Sequence, residues 1–276
     1  MKIALIQLNV TDDPSENLPT TLNYIRDAVA AGAEFVLTPE VTNCVSTSRS
    51  HQNAVLQLED TDQTLAALRD TARDAGIWLL IGSLGLKTHD EDGRFANRSF
   101  MINPVGDIVA RYDKIHMFDV QVTPEETFRE SDGYRPGIEA VVAPTGFGMV
   151  GMTVCYDVRF AALHIALARA GAEILTVPAA FSPVTGAAHW HTLLRARAIE
   201  TGCYVLAPAQ TGTHASKTHK TRSTYGHSLV VTPWGEVQLD AGSEPGVYIT
   251  DLDMEKVNEA RGKIPSLSNA RPFDGP

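Results

Sequence analysis

The sequence predicts an α/β fold, a four-layer α-β-β-α sandwich built from two similar β-α-β-type halves, and three observations carry that prediction. Near-continuous apolar runs alternate with amphipathic segments, as expected of sheets covered by helices on at least one face. Short segments recur in the same order in the two halves of the chain, which suggests an internal duplication. No low-complexity linker separates the halves, so two stacked units within one body are expected.

The elements follow in order. Ile3 to Val10, interrupted by Gln7 and Asn9, reads as a buried strand rather than a signal peptide. Asp13-Pro14-Ser15 then signals a helix start, and Leu18, Leu22, Ile25 and Val29 recur at helical spacing. Ala31-Gly32-Ala33-Glu34 leads into the strand-like run Phe35 to Pro39; Ala170-Gly171-Ala172-Glu173, 139 residues on, leads into Ile174 to Pro178. Leu68-Arg69 opens a helical stretch ending at Gly76 before the strand Ile77 to Ile81, and Leu194-Arg195 does the same up to Gly202 before Cys203 to Leu206, 126 residues on. The hairpin signals Pro104-Val105-Gly106-Asp107-Ile108 and Pro233-Trp234-Gly235-Glu236-Val237 form a third pair, 129 residues apart. Val120 to Gly137 is expected to be a long loop.

Composition narrows the function. The 276 residues are 43% hydrophobic and 20% charged, the make-up of a soluble globular chain. A net charge of -10 with no local run of Lys or Arg argues against nucleic acid and anionic membrane surfaces. No window approaches the length of a membrane span. Three cysteines without a CxxC pair fit a reducing, cytoplasmic compartment.

Three residues at strand ends complement one another chemically. Cys155 follows Met149 to Val154, Glu40 follows Phe35 to Pro39, and Lys114 follows Asp107 to Tyr112. A carboxylate in hydrogen-bond reach can take the proton of a thiol, and an ammonium favours the resulting anion. Attack on an amide carbonyl would create an oxyanion that Lys114 and the N–H of Tyr156 can stabilise. Glu40 would then return its proton to the leaving nitrogen, and water would hydrolyse the thioester.

The motifs Thr38-Pro39-Glu40, Tyr112-Asp113-Lys114 and Val154-Cys155-Tyr156-Asp157-Val158-Arg159-Phe160 resemble the three signatures of the nitrilase superfamily of carbon-nitrogen hydrolases. The stretch from Ala188-His189-Trp190 to Glu200, and Tyr225-Gly226-His227-Ser228 with Pro233-Trp234-Gly235, are similar to its downstream segments. The resemblance implies a single carbon-nitrogen hydrolase domain over residues 1–276 and a Glu-Lys-Cys mechanism with no metal or cofactor. It further implies a homodimer paired through helices beside the nucleophile, with the tail at about 255–276 at a subunit interface. It also implies a second glutamate, Glu130 in Phe128-Arg129-Glu130-Ser131, that orients Lys114 and the substrate. Relatives commonly carry Pro-Glu or Ala-Glu where this chain has Ala161-Ala162, so the bracing of the nucleophile segment is in question.

Tyr156, in place of the tryptophan typical of true nitrilases, argues for amides over nitriles. The segment from Arg195 through Gln210-Thr211-Gly212 is similar to deaminated-glutathione amidases, and Phe128 to Ser131 with Arg159-Phe160-Ala161 to omega-amidases. The expected substrate is the terminal amide of a small carboxylate or 2-oxo acid, hydrolysed with release of ammonia. The alternatives are another amide, such as an N-carbamoyl amino acid or an aliphatic amide, and a non-catalytic scaffold. Tyr156, Arg159, Phe181, Thr185, His189 and Arg195 are the expected substrate-binding residues, the arginines because a guanidinium grips a carboxylate with two parallel hydrogen bonds. No zinc site is expected. His189 and His191 would point to different sides of a helix, and His214 and His219 fall in a polar stretch without a cysteine.

Overall fold

In a computed structural model, described for all residues except 124–125, 217–220 and 276, two six-stranded sheets form the centre of the molecule. One runs in spatial order Gly246–Asp251, Lys2–Gln7, Phe35–Leu37, Trp78–Leu86, Ala96–Ile102, Ile108–Asp113. The other runs Val141–Thr145, Gly148–Met152, Ile174–Thr176, Tyr204–Ala207, Leu229–Val231, Val237–Asp240. Each has three parallel strands with one antiparallel strand on one side and two on the other. The same topology occurs twice, as the recurring segments suggest.

Alternation along the strands assigns the layers. Ile3, Leu5, Phe35 and Leu37 share a core with Val150, Met152 and Val205 of the opposite sheet. Ala4, Ile6, Val36 and Leu79 instead pack under Ile25, Leu65, Leu68 and Ala72 of the helices Pro14–Ala30 and Gln63–Ala75. Leu163, Leu167, Trp190 and Leu194, from the helices Ala161–Arg169 and Pro183–Thr201, join the core of the second sheet. With both faces covered, neither side of a strand needs polar residues, so the strands read as apolar runs. Each fully buried Leu or Ile in these layers contributes about 1.5–3 kcal/mol.

The recurring Gly76 and Gly202 have a local cause. Each ends its helix in the left-handed region, at φ 65° and 60°, where a side chain is strained and the chain turns directly into the next strand.

The first helix buries Asn17, Thr21, Ile25 and Ala28, with Leu22 and Val29 packed partly buried against the same core. The Asn17 amide donates to the carbonyls of Thr11 and Asn43, tying the helix to the loop beyond Glu40. Two expectations need correction. The segment 120–137 is not a plain loop. Asp119–Thr123 and Glu126–Arg129 form a hairpin, and the turn Glu130–Asp132 follows. Its strands are short and largely polar, which hid them from periodicity. His214 is buried on the strand Thr211–His214 rather than in a polar loop, bonded to the Val10 carbonyl and the Thr224 hydroxyl; His219 lies outside the described residues.

Candidate active site

Three strand ends of the two sheets converge, as α/β sheets arrange their sites. Glu40 lies just beyond Phe35–Leu37, Lys114 directly follows Ile108–Asp113, and Cys155 opens a tight 3-10 turn, Cys155–Arg159, after Gly148–Met152. Two bends at the site are strained. Val41 and Cys155 have φ of 48° and 51°, a region that disfavours side chains and above all a β-branched one. The Val41 N–H is pinned to the Ser83 hydroxyl and the Cys155 N–H to the Pro178 carbonyl, so the surrounding structure imposes both bends.

Glu40 and Lys114 are 4% and 2% exposed, so their charges are sustained only by close partners. Lys114 Nζ lies 3.0 Å from Glu40 Oε1 and 2.9 and 2.8 Å from the two oxygens of Glu130. The Asn97 amide donates to Glu40 Oε1 at 2.9 Å and to Glu130 Oε1 at 3.3 Å. The Ala180 N–H donates to Glu40 Oε2 at 2.7 Å, and the Phe118 N–H to Glu130 Oε2 at 2.7 Å. The Cys155 thiol lines the same cavity, close enough to Glu40 for each group to shift the other's protonation.

These contacts set the charge state. Burial pushes the Glu40 carboxyl up, but the Lys114 charge and the bonds from Cys155 and Lys114 outweigh it and hold Glu40 below the usual carboxylate range. Burial depresses Lys114, yet Glu130 and Glu40 raise it well above its ordinary value. Burial and then the Glu40 carboxylate raise Cys155, with Lys114 opposing. With the carboxyl lowered and the thiol raised, the proton favours sulfur over Glu40.

The pH dependence follows. Glu40 must be ionised and the Lys114 ammonium and Cys155 thiol protonated. Since the carboxyl moves down and the other two up, kcat/KM is expected to stay flat from about pH 5 to 9. An inflection near the histidine range in a pH–rate profile would assign the limiting proton to another group.

Asp157 braces the nucleophile turn. It is fully buried and accepts from the Val154 N–H, the Tyr112 hydroxyl, and the His116 N–H, with His116 Nδ1 at 2.7 Å. Arg197 donates to the Val158 carbonyl from the neighbouring helix. The acidic residue missing at Ala161-Ala162 is not needed for this brace, and Ala162 faces outward.

A cavity of about 660 Å³ opens over these groups, lined by Glu40, Lys114, Glu130, Cys155, Tyr156, Phe181 and Thr185 among others. The hydroxyls of Ser182 and Thr185, which also line the cavity, are buried and have no hydrogen-bond partner among the described residues. Three expected binding residues do not line the cavity. Arg159 lies over the rings of Tyr156 and Phe181, at 5.8 and 5.5 Å, and contacts the exposed His189. Arg195 donates to the Gly235 carbonyl at 2.7 Å and ties its helix to the hairpin. Sequence reasoning missed Asn97, Asp157 and Arg222, the last a lining residue. A buried Asn in the otherwise apolar strand Ala96–Ile102 is a signal that could have found the first.

Among the described residues, one group could hold a metal ion away from the cavity. His191 and His227 flank Asp240, and their ligand atoms lie within 4.8 Å of one another. His189 and His191 do face different partners, Arg159 and Asp240. No helix among the described residues is long and apolar enough to cross a membrane.

The profile of the carbon-nitrogen hydrolase family matches residues 2–262. The deaminated glutathione amidase of Rattus norvegicus is 38% identical over 275 residues, covering 98% of this chain and 82% of the relative. The C. elegans NitFhit crystal structure is 34% identical, with a TM-score of 0.88, over 98% of this chain and 65% of that longer one. A glutamate-to-glutamine variant of the Nesterenkonia sp. AN1 amidase, with acrylamide added at its active-site cysteine, is 28% identical at a TM-score of 0.76, over 96% and 98%. Sequence and fold thus agree over nearly the whole chain, which belongs to the carbon-nitrogen hydrolase family of the nitrilase superfamily.

Proposed function

We propose that this chain hydrolyses the amide of a small 2-oxo acid of the deaminated glutathione or 2-oxoglutaramate type through a thioester at Cys155. The observation that carries the reading is that Cys155 shares one cavity with a carboxylate, Glu40, that Lys114, Asn97 and the Ala180 N–H hold in place. Glu40 takes the S–H proton as sulfur bonds to the amide carbon. The oxyanion is stabilised by Lys114 and by the Tyr156 N–H, which lies in the first turn of its 3-10 segment and has no intrahelical acceptor there. Glu40 then protonates the nitrogen and the C–N bond breaks, leaving the acyl group on sulfur. Water, deprotonated by Glu40, cleaves the thioester and restores the thiol. Glu130 holds the ammonium in line. Ser182 and Thr185, which line the cavity, would supply hydroxyls to the carboxylate of the acyl half.

Relatives named deaminated glutathione amidases support the substrate class. The leaving group is ammonia, as expected of a terminal amide, only from 2-oxoglutaramate; deaminated glutathione has an internal amide and releases cysteinylglycine, so 2-oxoglutarate is the product to follow in both. Wild-type enzyme is expected to release it and Cys155→Ala to release none. Turnover confined to N-carbamoyl amino acids or short aliphatic amides would favour those substrates instead, and no turnover of any would favour a scaffold. We further infer a cytoplasmic homodimer. Exposed Ile199 on the helix Pro183–Thr201 and exposed Phe273 in the C-terminal tail offer apolar contacts for a second copy.

A further inference from the structure

We propose that Arg222 forms a second carboxylate subsite, on the leaving-group side of the cavity, that selects amides whose amine half carries an anion. The inference rests on the substrate reading above and extends it to the other half of the molecule.

Arg222 opens the strand Arg222–Tyr225 and lines the cavity. One Nη donates to the Ala180 carbonyl at 2.6 Å, and the guanidinium lies 5.7 Å from the centre of the Phe128 ring. Among the described residues it has no carboxylate partner, unusual for a half-buried arginine and consistent with N–H groups reserved for a ligand. The other cations lining the cavity are differently placed. Arg49 is held by the carbonyls of Asp132 and Gly93, Lys114 is enclosed by carboxylates, and Arg129 is exposed with its charge acting on Asp119.

Position assigns Arg222 to the leaving group. Glu40 must deliver a proton to the departing nitrogen, so that nitrogen lies beside Glu40. The N–H of Ala180 bonds Glu40 and its carbonyl bonds Arg222, so a single residue, bridged by hydrogen bonds of 2.7 and 2.6 Å, separates proton donor and cation. In deaminated glutathione the departing nitrogen begins a cysteinylglycine whose carboxylate is about 7 Å along the chain when extended. A cavity of about 660 Å³ is also larger than an ammonia-releasing amide needs.

The test compares deaminated glutathione with its C-terminal carboxamide, in wild type, Arg222→Gln and Arg222→Lys, by release of 2-oxoglutarate. Wild type is expected to prefer the acid by about 10- to 100-fold in kcat/KM, chiefly through KM. Arg222→Gln should bring that ratio close to one, and Arg222→Lys should keep part of it. A structural role would slow both substrates together and preserve the ratio, and that result would overturn the proposal. Release of 2-oxoglutarate from neither compound by the wild type would instead overturn the substrate reading beneath it.

Discussion

Glu40→Gln is expected to lower kcat by about 10³- to 10⁴-fold, because in the proposed mechanism one carboxylate carries the proton in both halves of the reaction. Glutamine keeps the shape but cannot accept the thiol proton, and the thiol is already raised by burial. The amide also fits poorly. Lys114 Nζ and the Asn97 amide both donate to one oxygen of Glu40, and the Ala180 N–H donates to the other. Whichever way glutamine is turned, its NH₂ faces a donor, at a cost of about 1–3 kcal/mol in stability. Lys114 retains Glu130, so the fold should survive. Steady-state kinetics and thermal unfolding of the variant measure the two effects separately. Activity within tenfold of wild type would remove Glu40 from the proton path.

Gly82→Ala should be nearly as damaging, though residue 82 touches no substrate. A Cβ there would lie 2.0 Å from the Thr38 carbonyl oxygen, 2.5 Å from that of Pro39 and 2.6 Å from Cβ of Pro178. Thr38 and Pro39 lead directly into Glu40, and the Pro178 carbonyl holds the Cys155 N–H at 2.9 Å. One methyl would therefore push apart the loop that carries Glu40 and the loop that holds the Cys155 N–H. Overpacking of this kind costs about 1–3 kcal/mol or more, and a shift of about 1 Å in reacting groups costs about 10²-fold in rate. Gly262→Ala, inside the helix Glu255–Lys263 with nothing near the added methyl, is the control and should be neutral or mildly stabilising. Equal behaviour of the two variants would show that the close approach at Gly82 has slack.

The layers and the positions of Glu40, Lys114 and Cys155 were legible because they depend on local pattern. Apolar runs name the strands, glycines end the helices, and the reactive residues fall where strands stop. Glu130 was legible only through a motif, since its hairpin is polar and shows no periodicity. The walls of the cavity were not legible. Arg159 and Arg195 are the residue type a carboxylate calls for, but their placement depends on which face of a turn or helix they occupy, and each found an inward or lateral partner. Asn97 and Arg222 matter because strands remote in sequence bring them beside Glu40 and Ala180, a relation that no spacing encodes.

The strand Lys2–Gln7 pairs antiparallel with Gly246–Asp251, so the two partners are separated by most of both halves of the fold. A growing chain can form its early helices, but the first sheet keeps an open edge until residues 246–251 have been made. Closing the sheet then depends on long-range strand pairing, with its slow kinetics and an exposed edge that chaperones would be called on to cover.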